Sequence, residues 1–354
     1  MNIKPVLPEK SHKPLMIAGP CSAESENQIL TAARALSKHP EVDFFRASVW
    51  KPRTYPGDFE GVGSIGLEWL RKAKEETGLK ICTEVAHAVH VEQAVKSGID
   101  MVWIGARTTV NPFLVEEIAE VVAHYNVPVM IKNPVNPDLD LWIGAVERFI
   151  RKGTDKIGAI HRGFSGYRKF IYRNEPFWEI VFELKRRYPQ LPIINDPSHL
   201  TGDKTLVPAM CQKALDLEVD GLMIEVHPCP DKALTDKQQQ LSLSDFSNLL
   251  KRLIYRNPQK EIPLSEIPKL RAQIDEIDFE IIKLLSQRME FVQEIGDIKR
   301  KNDITILQMK RWKEVIETRL DFGDAAGIER EFLLRILHAI HEESLRIQGG
   351  IFNG

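Results

Sequence analysis

One pattern constrains this chain more than any other. Eight times before residue 256 a short run, apolar on both faces, is followed by a polar tip and then a helical stretch. The runs are LMIAGP (15–20), FFRASV (44–49), KICTEV (80–85), MVWIGA (101–106), PVMIKN (128–133), GAIHRG (158–163), PIINDP (192–197) and GLMIEVHP (221–228). Strands with no polar face need helices on both sides, which is the signature of a parallel sheet. The intervening stretches 66–77 and 87–97 are amphipathic, and Gly98 closes the second. Eight such units in roughly 250 residues predict an α/β fold, a closed (β/α)8 barrel, over 1–256. The absence of GxGxxG after the first run argues against a dinucleotide-binding open sheet.

After Tyr255 comes RNPQKEIPLSEIP, a Pro-rich stretch that reads as a linker over 257–263. Beyond it the period changes. Leu270, Ile274, Ile277, Ile281, Leu284, Phe291, Ile295 and Ile298 follow a spacing of three and four, which predicts one amphipathic helix from 265 to about 301. At 1.5 Å per residue it is some 55 Å long, more than a small domain covers by itself. The second domain, 264–354, is therefore expected to be all-helical and to dimerise against a copy of itself, making the protein a homo-oligomer, at least a dimer.

Charge narrows the partners. Lys+Arg 48 against Asp+Glu 50 leaves a formal charge of -2, so no global field draws the chain to nucleic acid or to a membrane. An anionic ligand would need local cations. The apolar runs are far short of a bilayer span, and MNIKPVLPEKSHKP is too polar to be a signal peptide. Cys21, Cys82, Cys211 and Cys229 form no CxxC pair, as expected of a reducing, cytoplasmic setting.

The strand tips carry unusual side chains. Cys21 ends the first run, Arg46 and Lys51 follow the second, and Glu84 lies in the third; Arg107, Lys132 and Arg162 mark the fourth to sixth. His199 follows the seventh, and Glu225 and His227 end the eighth. Taken singly, such residues are a small core thiol or solvated charges. In a barrel, however, all these ends converge on one face. The cations then form an anion site for phosphate and carboxylate groups. Cys21, His199, Glu225 and a further acid such as Asp236 offer S, N and O ligands to a divalent metal.

The strings MIAGPCSAES (16–25), RASVWKPRTYPGDFEGVG (46–63), IGAR (104–107), KNP (132–134), NDPSH (195–199), IEVHP (224–228) and DKALTDKQQQL (231–241) resemble the short type I 3-deoxy-D-arabino-heptulosonate 7-phosphate (DAHP) synthases over about 15–250. KPRT separates them from the sister enzymes that make the eight-carbon sugar acid, and points to erythrose 4-phosphate as acceptor. The resemblance implies one divalent metal ion (Mn2+, Zn2+, Fe2+ or Co2+) on Cys21, His199, Glu225 and Asp236. It implies phosphoenolpyruvate on Arg46, Lys51, Arg107, Lys132 and Arg162, the acceptor on Arg53 and Thr54, and a water placed by Glu84 and Lys132. KNP departs from the KRG or KNG expected after that lysine.

The helical half carries its own anomaly. Arg288 interrupts the apolar seam, and Arg288, Val292, Ile295 and Lys299 lie on one stripe; Ser344 and Gln348 share a face of the last helix. LRAQIDEID (270–278), SQRMEFVQEIGDIK (286–299), LQMKRW (307–312) and EESLRIQ (342–348) resemble the all-helical chorismate mutases over roughly 264–350. The resemblance implies that Arg271 of the partner subunit, Arg288 and Arg311 grip the carboxylates of chorismate. It also places Lys299 and Gln348 on the ether oxygen, with Gln308 and Ser344 beside them. Gln308 stands where Asp is frequent, and Trp312 where a Glu often meets the substrate hydroxyl. The chain is thus expected to join the first step of the shikimate pathway to the conversion of chorismate into prephenate. The alternative is a helical half that serves mainly as a product-sensing, dimerising regulatory module. Feedback by prephenate or chorismate through that half is compatible with both.

Overall fold

A computed structural model describes residues 3, 13–53, 55–166, 171–256 and 266–353. The chain divides into two compact units, 1–259 and 260–354. The expected linker, 257–263, and the residue at which the long helix was expected to start, Ser265, lie outside the described residues.

The first unit is a closed parallel barrel. Its strands are β1 (Leu15–Gly19), β2 (Phe44–Arg46), β3 (Lys80–Val85), β4 (Met101–Ile104), β5 (Val129–Lys132), β6 (Ile157–His161), β7 (Ile193–Asn195) and β8 (Gly221–Glu225). They pair in chain order, and β8 returns to β1 with Leu15 opposite Gly221 and Gly19 opposite Glu225. Strand alternation sorts the side chains into two cores. Ile17, Phe44, Cys82, Trp103, Met130, Ile160 and Met223 fill the barrel, whereas Met16, Ala18, Phe45 and Ile131 face the helices. Nearly all are fully buried, which accounts for the lack of a polar face in the runs.

Most strands are shorter than the apolar runs. The run 44–49 leaves the ladder after Arg46, and 221–228 leaves it after Glu225. Ala47, Val49 and Val226 remain buried beyond those points. An apolar run marks burial, and the ladder ends where the backbone turns out to present the tip residues. Helix starts follow capping chemistry: the Ser25, Asn111 and Asp138 side chains accept backbone N–H bonds at Glu26–Leu36, Pro112–Tyr125 and Leu139–Arg151.

The second unit consists of the helices Glu266–Lys301, Met309–Ala325 and Arg330–Asn353. The first is 36 residues long, or about 54 Å. It packs along the third, and Gly296 permits the approach: a Cβ there would lie 2.6 Å from Ile351 Cδ1. Leu270, Ile274, Ile277, Ile281 and Leu284 are each about half exposed or more. No described helix is long and apolar enough to cross a membrane.

Candidate active sites

At the C-terminal end of the barrel, donor atoms of Cys21, His199 and Asp236 lie within 4.8 Å of one another. Each is placed by a different element. Cys21 follows β1, and Gln240 Oε1 accepts its backbone N–H at 3.0 Å. His199 sits in the short helix Pro197–Thr201, capped by the Asp196 side chain. Asp236 belongs to the segment after β8, where Arg173 holds its Oδ1 at 2.8 Å. Lys51 Nζ is 2.9 Å from Cys21 Sγ, and Cys21 Sγ is 3.4 Å from Asp236 Oδ2.

Glu225, the fourth expected ligand, is fully buried at the end of β8, its Oε1 3.5 Å from His199 Nε2. Among the described residues that oxygen has no hydrogen-bond partner, although Arg46 Nη2 is 3.2 Å away; Gln239 Nε2 donates to Oε2 at 2.8 Å. Burial and the charge of Glu225 push the Cys21 thiol up. Burial opposes ionisation of Glu225 and Asp236 too, but Arg46 with Lys51 for the first, and Lys51 with Arg173 for the second, hold both carboxyls down. A crowded thiol, imidazole and two carboxylates, one with an orphan oxygen, is a donor set that a divalent cation fits.

Asp196, which sequence reasoning missed, organises this cluster. Its Oδ2 accepts from His199 Nδ1 at 2.8 Å and from Lys132 Nζ at 2.9 Å, and its Oδ1 accepts the His199 backbone N–H at 3.1 Å. Burial works against its charge, yet His199 and Lys132 hold it well below the usual carboxylate range. An ionised Asp196 fixes the proton on Nδ1 and leaves the Nε2 lone pair toward the cluster. The signal was present in NDPSH: an acid followed by Pro at the first helical position is a helix cap.

Beside the cluster lies a cavity of about 280 Å³. Lys51, Arg53, Glu84, Arg107, Lys132 and Arg162 line it, together with Arg173, His199 and Asp236. Thr54 lies outside the described residues. The KPRT loop is pinned by Lys51 N–H donating to Glu60 O at 2.8 Å. Gly61, at φ 98°, permits this, because a Cβ there would sit 2.2 Å from Val49 O. Arg53 pairs with Asp58 at 3.3 Å, and Glu84 Oε2 accepts from Ser48 Oγ at 3.2 Å.

Arg46 does not line the cavity. It is buried beneath, its Cζ 5.0 Å from the Trp103 ring centroid, with Nε and Nη1 unpartnered among the described residues; Lys132 Nζ is 5.9 Å from the same ring. Arg162 bonds Asn174 Oδ1 and Gly163 O, both neutral. Burial pushes its guanidinium down to about 10 against the pull of Asp196, with Arg173 and Arg107 adding repulsion. Asn133, which precedes the departing Pro134 in KNP, accepts the Arg162 backbone N–H at 2.7 Å and donates to Gly163 O at 2.9 Å. It ties the exits of β5 and β6 together and so places Arg162. Arg173 was also missed, because it lies in a cation-rich stretch that no strand marks. His227 lies apart from this cavity: Cys229 N–H donates to its Nδ1 at 2.9 Å and Glu24 is 3.6 Å from its Nε2.

The helical unit holds a cavity of about 660 Å³. Arg288, Lys299, Gln308, Arg311, Ser344 and Gln348 line it; Arg271 does not. Arg288 Nη1 donates to Ser344 Oγ at 2.6 Å, and Lys299 Nζ to Ile306 O at 2.5 Å. Burial, with Arg319 in the same cavity, pushes the Arg288 guanidinium down. Trp312 and His341 also line this cavity.

Comparison with known proteins assigns a family to each unit. Residues 3–257 match the DAHP synthetase I family, and 270–349 match chorismate mutase type II. The phospho-2-dehydro-3-deoxyheptonate aldolase of Thermotoga maritima is 32% identical over 238 residues, 67% of this chain and 68% of that protein. Its crystal structure aligns at a TM-score of 0.62 with 31% identity, covering 68% of both chains. A 2-dehydro-3-deoxyphosphooctonate aldolase of Nitratidesulfovibrio vulgaris is 28% identical, covering 67% of this chain and 90% of its own. The chain belongs to the DAHP synthetase I family and carries, after its barrel, a chorismate mutase type II domain.

Proposed function

We propose that the barrel condenses phosphoenolpyruvate with D-erythrose 4-phosphate to give DAHP and phosphate, and that the helical unit rearranges chorismate to prephenate. The observation that carries the first half is the juxtaposition, at one barrel mouth, of an S/N/O donor cluster and a cavity walled by cations. Cys21, His199, Glu225 and Asp236 would hold one divalent ion. Bound there, the ion supplies Lewis acidity to the acceptor's aldehyde. Mn2+, Zn2+, Fe2+ and Co2+ all suit such donors.

The protein's own residues do the rest. Arg107, Lys132 and Arg162 hold the phosphate and carboxylate of phosphoenolpyruvate, and Lys51 bridges the cavity to Cys21. Arg46, buried beside Glu225, adds its charge to the floor of the phosphoenolpyruvate site. Arg53 and Thr54 take the acceptor, as KPRT implies. The enol carbon bonds to the aldehyde carbon; Glu84 and Lys132 place a water on the cationic centre that results, and phosphate leaves. Cations already in position stabilise charge as it develops, with little reorganisation.

In the helical unit no proton transfer or covalent step is required. Arg288 and Arg311 grip the carboxylates, Lys299 and Gln348 meet the ether oxygen, and Ser344 orients Arg288, with Gln308 at the rim; the cavity holds the reactive conformer. Arg271 stands outside that cavity, on the same helix as the exposed stripe Leu270, Ile274, Ile277, Ile281 and Leu284. This supports a homodimer through the helical unit, in which Arg271 of the partner subunit completes the site. A cavity that keeps the ether-directed pair favours catalysis over sensing alone. Cys21→Ala tests the division of labour: it should abolish phosphoenolpyruvate consumption and leave chorismate turnover intact. A Cys21→Ala protein fully active in the condensation removes Cys21 from the metal site, and prephenate binding without chorismate turnover favours the regulatory alternative.

A further inference from the structure

One side chain of the helical cavity is left without a task by that assignment. His341, in the helix Arg330–Asn353, lines the cavity with its ring stacked on Trp312, centroids 3.7 Å apart and planes 11° from parallel. His338 closes on the same indole edge-on at 5.5 Å. The stack fixes the plane of the His341 imidazole. Its Nε2 is buried and has no hydrogen-bond partner among the described residues. Gln348 Oε1, two helical turns further on, is in the same condition. Unsatisfied buried polar atoms are costly and call for an explanation. Two of them in one cavity point to a ligand that brings its own hydrogen-bonding groups.

Chorismate presents two carboxylates, an ether oxygen and a ring hydroxyl. Arg288 and Arg311 suit the carboxylates, and Lys299 with the NH2 of the Gln348 amide can donate to the ether, which leaves the hydroxyl. Ser344 is committed: its Oγ accepts from Arg288 and donates to Ile340 O, both at 2.6 Å. Gln308 is exposed. A hydroxyl both donates and accepts, so a neutral imidazole nitrogen serves it in either tautomer. Burial pushes the His341 imidazole down, and the charges of Arg288, His338 and Lys299 act the same way, favouring the neutral ring.

We propose that His341, held against Trp312, takes the ring hydroxyl of the mutase substrate through Nε2 and sets the site's specificity for a hydroxylated ring. The inference rests on the mutase reading above. Its test uses the full chain with chorismate and with the analogue in which hydrogen replaces the ring hydroxyl. His341→Phe keeps a stacking ring and removes the nitrogen. It should lower kcat/KM for chorismate about tenfold to a hundredfold, which is ~1.4 to ~2.7 kcal/mol at ~1.36 per tenfold, and change the analogue's value less than about threefold. His341→Asn, which restores a donor and an acceptor, should recover part of the loss. Helix content and melting of each variant separate this from unfolding. An equal loss on both substrates makes His341 structural, and no loss on either denies it a role; both overturn the proposal. If the unaltered chain fails to convert chorismate, the mutase reading itself is what has failed.

Discussion

Asp196→Asn isolates what the buried carboxylate does for the metal cluster. The substitution preserves shape and removes one charge from a group bonded to Lys132 at 2.9 Å and to His199 Nδ1 at 2.8 Å. If the new amide keeps its oxygen on the His199 backbone N–H, its NH2 faces two donors. Lys132 then loses its anion, and His199 must move its proton to Nε2, the nitrogen aimed at the cluster. If the amide flips, the tautomer survives but the helix cap is lost, at about 1 kcal/mol. Both orientations leave Lys132 without a counter-charge, with 4% of its surface exposed. Breaking one side of such a buried pair costs about 3–5 kcal/mol. Loss of a group that orients a metal-bound His typically weakens affinity about 10–100-fold. Mn2+ titration followed by the electron paramagnetic resonance of free ion, with melting of the metal-free protein, reads both effects. Binding within about twofold of the parent, with unchanged melting, would refute the reasoning.

Three further outcomes are expected. Arg162→Gln should raise the KM for phosphoenolpyruvate by about 10–100-fold, the worth of a charge-assisted hydrogen bond, without altering Mn2+ affinity; a KM within twofold of the parent would show that Arg162 holds no phosphate or carboxylate. Gly158→Ala places a Cβ 2.4 Å from Met130 Sδ inside the barrel, so the thioether must shift. The variant should lose about 1–3 kcal/mol in urea unfolding, and unchanged stability would contradict the packing described. His161 is neutral between Pro176 O at 2.7 Å and Asn195 Nδ2 at 3.1 Å, and burial pushes it down to about 4. The unfolded chain takes up a proton near pH 6.5 and the folded one does not, so stability is full above that pH and falls between 6.5 and about 4. The loss approaches about 3 kcal/mol at ~1.4 per pH unit, and His161→Gln should lack that slope in urea titrations; an identical slope in the variant would remove His161 as its source.

The barrel was legible because covering a sheet on both faces leaves a strong mark: runs such as MVWIGA have no polar alternation. Its cations were legible for a related reason, since side chains at successive strand ends must meet when the sheet closes. Arg173 escaped because it reaches the site from a segment outside the ladder, and Asp196 because only the closed barrel brings Lys132 to it beside the local His199. Arg46 reads as a ligand-binding cation by position, but the ladder ends there with its side chain turned beneath the cavity, against Trp103 and Glu225. In the helical unit, the three-and-four spacing places Arg288 and Lys299 on one stripe. The Trp312–His341 stack joins two helices 29 positions apart, which no local period reveals.

The central claim is a metal-requiring condensation that selects a four-carbon aldose phosphate. Its most direct measurement is phosphoenolpyruvate consumption by the full chain with erythrose 4-phosphate or arabinose 5-phosphate, first in EDTA and then with added Mn2+. Turnover should be absent in EDTA, return with Mn2+, and favour erythrose 4-phosphate. Equal rates in EDTA, or preference for arabinose 5-phosphate, would contradict it.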